Sequence, residues 1–122
     1  MVNKQDYLNA ITQNIDMVRG DTLAFNFQLS GLGSRAAYEA LTVTFAVAEN
    51  YDMESQCEAT TGNGVELDDY TEDTATFSVS LSPNMTAEMI PARYVYDLQI
   101  SDGTNVVTLM RGILTLLHEV TK

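Results

Sequence analysis

Apolar and polar residues alternate with a period of two along most of this chain. Leu23, Phe25, Phe27 and Leu29 interleave with Ala24, Asn26 and Gln28, and Leu41, Val43, Phe45 and Val47 interleave with Thr42, Thr44, Ala46 and Ala48. Phe77, Val79 and Leu81 follow the same rule within Thr76 to Leu81. Tyr94, Tyr96, Leu98 and Ile100 do so against Val95, Asp97, Gln99 and Ser101. An extended chain turns successive side chains to opposite faces, so each run predicts a strand with one row facing a core and the other facing solvent.

Between these runs lie punctuation signals. Arg19-Gly20-Asp21 predicts a turn between a strand over Asn14 to Val18 and one over Thr22 to Ser30. Gly31-Leu-Gly-Ser34 ends that strand, and Ser34 is placed to cap a helical turn through Arg35 to Glu39. A weaker strand is expected over Met53 to Ala59, a turn at Thr60 to Gly64, a short extended piece at Val65 to Leu67, and a polar loop over Asp68 to Asp73. Ser82-Pro83 reads as a helix start with a capping hydroxyl, running through Asn84 to Met89 until Pro91 stops it. Asp102-Gly103 opens a hairpin loop of about four residues. The returning arm, Val106 to Val120, changes phase: Val107 and Leu109 share one parity, Leu114, Leu116 and Val120 the other. Gly112 lies between them and predicts a bulge there.

About seven or eight short strands with one or two helical corners predict an all-β fold. The expected form is an immunoglobulin-like antiparallel β-sandwich, with a jelly roll or small closed barrel as alternatives. Residues 14–122 form the expected single sandwich domain. Residues 1–13, with Tyr7, Leu8 and Ile11 at helix-like spacing, are expected to be an N-terminal arm or short helix.

Composition narrows the function classes. At 122 residues and 45% apolar content the chain can bury one core. No apolar run approaches the roughly 18 to 20 residues that span a bilayer, and the start lacks a signal-peptide pattern, so a soluble, unsecreted chain is expected. One cysteine, Cys57, excludes an internal disulfide. Asp and Glu number 17 against 6 Lys and Arg, a formal net charge of −11. Such a surface repels nucleic acid and anionic membranes, since phosphate binding rests on basic side chains. Neither is expected as a partner.

The inventory of chemical groups is thin, and no catalytic, cofactor-binding or metal-binding residue is assigned. His118 is the one histidine, and no local signature joins it to Cys57 or to a serine. Nothing basic near Cys57 in sequence lowers its pKa, so an inert thiol is expected. Glu49, Asp52, Glu54, Glu58, Glu66, Asp68, Asp69, Glu72 and Asp73 are close enough in sequence to share a surface and hold calcium. They lack the calcium-loop spacing, and a solvated acidic loop is the favoured reading. Paired carboxylates for sugar hydrolysis lack tryptophan platforms. Arg19-Gly20-Asp21 matches an integrin-ligand tripeptide but is explained by a strand-to-strand turn. Tyr94 and Tyr96 are expected in the core, with a hydroxyl bonded to a backbone carbonyl at a corner near Leu81-Ser-Pro83.

Four segments carry a resemblance: Arg19-Gly-Asp-Thr22 entering Phe25-Asn-Phe27, Leu81-Ser-Pro83, Tyr94-Val-Tyr-Asp-Leu-Gln99, and Thr108-Leu-Met-Arg-Gly112 before Leu114 and Glu119-Val-Thr121. In order and spacing the chain resembles the N-terminal domain of baseplate upper proteins of phages infecting Gram-positive bacteria. Glu49 to Asp73 does not take part. The resemblance implies an immunoglobulin-like sandwich in a bacteriophage virion, assembled in multiple copies in the host cytoplasm as an adaptor or attachment module of the tail or baseplate. Other virion proteins and further copies of the chain are the implied partners, with no cofactor. The chain stops at Lys122, without the further domains of those proteins, which makes Met1 to Asn14 a candidate docking arm. Partner-binding residues are not assigned. Capsid decoration, head-fibre attachment and a host-surface or carbohydrate-binding module are the alternatives, with a small hydrolase last.

Overall fold

The structure is a computed structural model that describes residues 11–119. Nine strands and two short helices follow one another among the described residues: β1 (Ile11–Thr12), β2 (Ile15–Val18), β3 (Leu23–Ser30), α1 (Arg35–Glu39), β4 (Thr42–Ala48), β5 (Ser55–Thr61), β6 (Gly64–Thr71), β7 (Thr74–Leu81), α2 (Pro83–Thr86), β8 (Arg93–Ser101) and β9 (Val106–Leu117). The fold is all-β, as the alternation predicts. One layer is β3-β7-β6; the other is β5-β4-β8-β9, with β1 and β2 both on the far side of β9. This is the layer arrangement of an immunoglobulin-like sandwich.

The layers are joined at one corner, where β5 and β6 run parallel for two residue pairs, Thr60 with Gly64 and Thr61 with Val65. The ladder is therefore continuous from β1 to β3, and the sandwich approaches a barrel with an open seam between β3 and the β1–β2 edge. The remaining ladders are antiparallel except at β9, where β1 and β2 both run parallel to it. The turn after β2 explains this departure from the all-antiparallel expectation. It carries the chain from one layer to the other, so β2 and β3 follow each other in sequence without pairing.

The inward rows meet as their spacing requires. Val43, Phe45, Val47, Val79, Leu81, Tyr96, Leu98 and Ile100 are buried. Phe25 of one layer meets Phe45 of the other edge-on, with ring centroids 5.4 Å apart, and Phe45 lies 5.3 Å from Tyr96. Burying a side chain of this size fully contributes about 1.5–3 kcal/mol, and the Phe25–Phe45 contact is one tie between the layers.

Three local expectations are corrected. Asp68 to Asp73 is not a loop. β6 continues to Thr71, with a register shift between Leu67 and Asp69 that passes the inward position from Leu67 to Tyr70. The hairpin then turns through Glu72 and Asp73, both with positive φ. The two neighbouring acids hide this strand because the bulge breaks the period-two signal. The irregularity in the β8–β9 ladder falls between Leu98 and Gln99, leaving Leu109 of β9 as the extra residue rather than Gly112. Ser82 precedes α2 without a side-chain cap, whereas Ser34 does cap α1 by accepting from the Ala37 amide at 3.3 Å.

At the N-terminal edge, β1 and Gln13 belong to the sandwich: the Gln13 amide donates to the Arg111 carbonyl at 2.9 Å. Residues 1–10 of the expected arm lie outside the described residues.

Candidate interaction surfaces

One end of the sandwich is built from residues that are far apart in sequence. Arg19, in the turn after β2, donates from its Nε and one terminal nitrogen to the two carboxylate oxygens of Glu119, at 3.2 and 2.7 Å. Its other terminal nitrogen reaches the Met89 carbonyl at 3.4 Å, just after α2. Gly20 donates to Thr86 Oγ1 at 3.2 Å, and the Asp21 amide closes the turn on the Val18 carbonyl at 3.0 Å. The two-point pairing holds the Glu119 carboxyl below its ordinary pKa and raises that of Arg19. Arg19-Gly20-Asp21 is thus a structural turn whose arginine is engaged by the fold. Beside it, the buried Tyr94 donates its hydroxyl to the Ile90 carbonyl at 2.6 Å, a corner of the kind the sequence predicts. Ile90 itself is 75% exposed.

The opposite end is organised by Asp73. Its carboxylate accepts from the Gly33 amide at 2.8 Å, the Gly31 amide at 3.1 Å and the hydroxyl of the buried Tyr38 at 2.8 Å. These donors favour the charged form and lower its pKa. The Tyr38 ring packs 5.6 Å from Tyr70 and ties α1 to β6. Next to this knot, Leu32, Ala37, Leu41, Ile100 and Val107 line an apolar pocket of about 350 Å³.

A third feature lies on the outer face of the β5-β4-β8-β9 layer. The loop after β4 folds back so that Tyr51 covers Arg111, whose guanidinium carbon is 4.5 Å from the ring centroid, and the Tyr51 hydroxyl donates to the Gly112 carbonyl at 3.3 Å. A groove of about 200 Å³ beside it is lined by Tyr51, Met53, Glu58, Val95 and Asp97. Partial burial raises the Asp97 pKa, and Arg111, its cross-strand partner, acts in the opposite direction.

The sequence candidates disperse over this framework. Cys57 sits half-buried on β5 opposite Val47, and burial, then the Glu58 charge, push its thiol up to about 11. His118 is exposed beyond the end of β9. The acidic row does not form one surface. Glu49, Asp52, Glu54 and Glu58 belong to the β4–β5 connection and β5, while Glu66, Asp68 and Asp69 are on β6 and Glu72 and Asp73 on its turn. Among the described residues no three His, Cys, Asp or Glu side chains are grouped to hold a metal ion, and no helix is long and apolar enough to cross a membrane.

Sequence reasoning did not single out Tyr38, Asp73 as an anchor, or Tyr51. The Tyr38–Asp73 and Tyr51–Gly112 hydrogen bonds join residues 35 and 61 positions apart, and periodicity carries no signal for such contacts. The exposed apolar side chains Tyr51, Met53, Ile90, Val106 and Leu117 were likewise not distinguished from core positions.

Fold and surface together define an immunoglobulin-like β-sandwich module. No family model and no curated protein matches the sequence. Among solved structures, the chain is similar to a family 123 glycoside hydrolase from Clostridium perfringens, at TM-score 0.54 and 11% identity over 97% of this chain and 26% of that one. It is also similar to the CupB6 tip adhesin from Pseudomonas aeruginosa, at TM-score 0.39 and 10% identity over 89% of this chain and 41% of that one. The chain therefore spans about a quarter of the hydrolase and two-fifths of the adhesin. At such identity the hydrolase likeness is one of fold alone.

Proposed function

We propose that this chain is a non-enzymatic structural protein of a bacteriophage particle, assembled in the host cytoplasm. It serves in several copies as an adaptor or attachment module of the tail or baseplate. The observation that carries this reading is the contact between Arg19 and Glu119 at 2.7 Å. Arg19 opens the first segment of the resemblance to baseplate upper proteins and Glu119 begins the final tripeptide of the last. Near them Tyr94, from a third segment, forms the corner with Ile90. Short matches that arise by chance have no reason to meet in space. Arg19, Glu119 and Tyr94, from three of the segments, gather at one end and hold its geometry, which supports a shared framework whose work is positioning.

Exposed apolar side chains at Ile90, Val106 and Leu117 give such a module surfaces for neighbouring virion proteins. Mass spectrometry of purified particles tests the reading. Stoichiometric presence supports it, and absence from particles rejects it; cryo-electron microscopy of the particle then distinguishes tail from capsid.

A second reading, a host-surface or carbohydrate-binding module, is favoured by the groove where the exposed Tyr51 ring borders Glu58 and Asp97. A glycan screen and a calcium titration separate the two, because only the second predicts sugar binding or a ligand-dependent rise in melting temperature.

A further inference from the structure

Strand β3 pairs with β7 over eight consecutive residues, from Leu23 with Leu81 to Ser30 with Thr74, without a bulge. Among the described residues its other edge has no strand beside it, since β3 ends the ladder. Natural sheets blunt such edges with lysine, proline, a bulge, an inward-pointing charge or a short strand. Leu23-Ala-Phe-Asn-Phe-Gln-Leu-Ser30 has none of these devices. Its inward row also lacks full cover: Phe25 and Phe27 are only half-buried, while Phe45 and Phe77 are 0% and 3% exposed.

We propose that the free edge of β3 is a homodimer interface, on which β3 of a second copy pairs antiparallel about a two-fold axis through Asn26. Two observations select a second copy as occupant. The first is the sequence of the strand, in which Leu23-Ala-Phe-Asn-Phe-Gln-Leu29 reads nearly alike in both directions about Asn26. Antiparallel pairing across that axis sets Phe25 beside the partner's Phe27, Leu23 beside the partner's Leu29, and Asn26 beside the partner's Asn26. Such an isologous contact requires a self-complementary strand, and this one is self-complementary on both faces.

The second observation is charge. Each copy carries a formal −11, which opposes close approach of two copies over most of the surface, yet no Asp, Glu, Lys or Arg falls between Leu23 and Ser30. On this edge two such molecules meet without charged side chains on the facing strands. Pairing there satisfies the free backbone groups, extends the half-covered aromatic row into the partner, and joins both β3-β7-β6 layers into one six-stranded sheet. The interface belongs to the chain whether or not it is a virion component, so its failure and that of the particle reading are separate results.

Sedimentation of the full chain over increasing concentration tests it, with amide hydrogen exchange of β3 measured on the same samples. The expected result is a reversible dimer, with β3 amides more protected as concentration rises. Asn26→Lys sets like charges face to face at the axis and is expected to weaken the dimer by at least about tenfold. Asn26→Thr, which adds no charge, leaves it dimeric. Asn26 is exposed, so the Lys variant should melt as the native monomer does. A monomer at every concentration overturns the proposal, as does a dimer indifferent to Asn26→Lys. Protection of β3 that is independent of concentration in a monomer also overturns it, because the edge is then covered within one copy.

Discussion

The hydroxyl of Tyr96 donates to the main-chain carbonyl of Gln13, 83 residues earlier in the chain. Gly112 makes the contact possible. It is the residue directly opposite Tyr96 in the β8–β9 ladder, and a Cβ there would collide with the Gln13 carbonyl. The glycine clears space, the first strands settle against β9, and the tyrosine satisfies the carbonyl brought inward.

This arrangement predicts two substitution effects of different origin. Tyr96→Phe removes one hydrogen bond and should cost about 1 kcal/mol in urea denaturation. Gly112→Ala forces the Gln13 segment away and should cost about 1–3 kcal/mol. Faster hydrogen exchange at the Gln13 amide should accompany Gly112→Ala. Unchanged exchange there would separate the glycine from the docking of β1.

Tyr94, two residues earlier on β8, makes a similar prediction. The buried Tyr94 side chain donates its hydroxyl to the Ile90 carbonyl at a part-buried corner, so Tyr94→Phe should destabilise by about 1 kcal/mol with little change in secondary structure. A melting curve superimposable on that of the native chain would show the corner to be held by packing alone.

Two aspartates give pH effects of opposite sign. The pKa of Asp73 is lowered in the folded chain, so the folded state binds its proton less readily than the unfolded state. Its stabilisation is complete above the ordinary carboxylate value and is lost as pH falls through the lowered one. The pKa of Asp97 is raised, so its ionised form opposes folding, and stability contributed at low pH declines as pH rises through the raised value. Melting temperatures measured against pH should show Asp73→Asn flattening the acid limb. Asp97→Asn should raise the melting temperature near neutrality and leave it unchanged in acid.

Cys57 should be slow to alkylate at neutral pH and accelerate as pH climbs toward about 11, where burial and Glu58 have placed its thiol. Iodoacetamide labelling followed by mass spectrometry measures this directly. Rapid labelling at pH 7 would contradict the half-buried position of the side chain.

Strand positions and the inward rows were legible in the sequence because they depend on local periodicity. β8 runs over Arg93–Ser101, as its alternation predicts, and Leu41, Val43, Phe45 and Val47 are buried as a row. The Ser34 cap and the Asp102 loop were legible for the same reason: Asp102 Oδ1 accepts from the amides of Thr104 and Asn105, at 2.9 and 2.7 Å, a contact made within its own turn.

What the sequence by itself determined is therefore an all-β chain with known inward faces. The tertiary structure decided which strands are neighbours, that β1 and β2 lie parallel on β9, that the bulge sits at Leu109 while Gly112 serves close approach, and that Asp68 and Asp69 lie within a bulged strand. It also decided that Arg19 meets Glu119 and that β3 is left at an edge. The physical reason is range. Alternation records which way each side chain points, and that is fixed by its neighbours in the chain. Pairing, seams and ion pairs arise between residues up to 100 positions apart, where many arrangements satisfy the same alternation and only packing selects one.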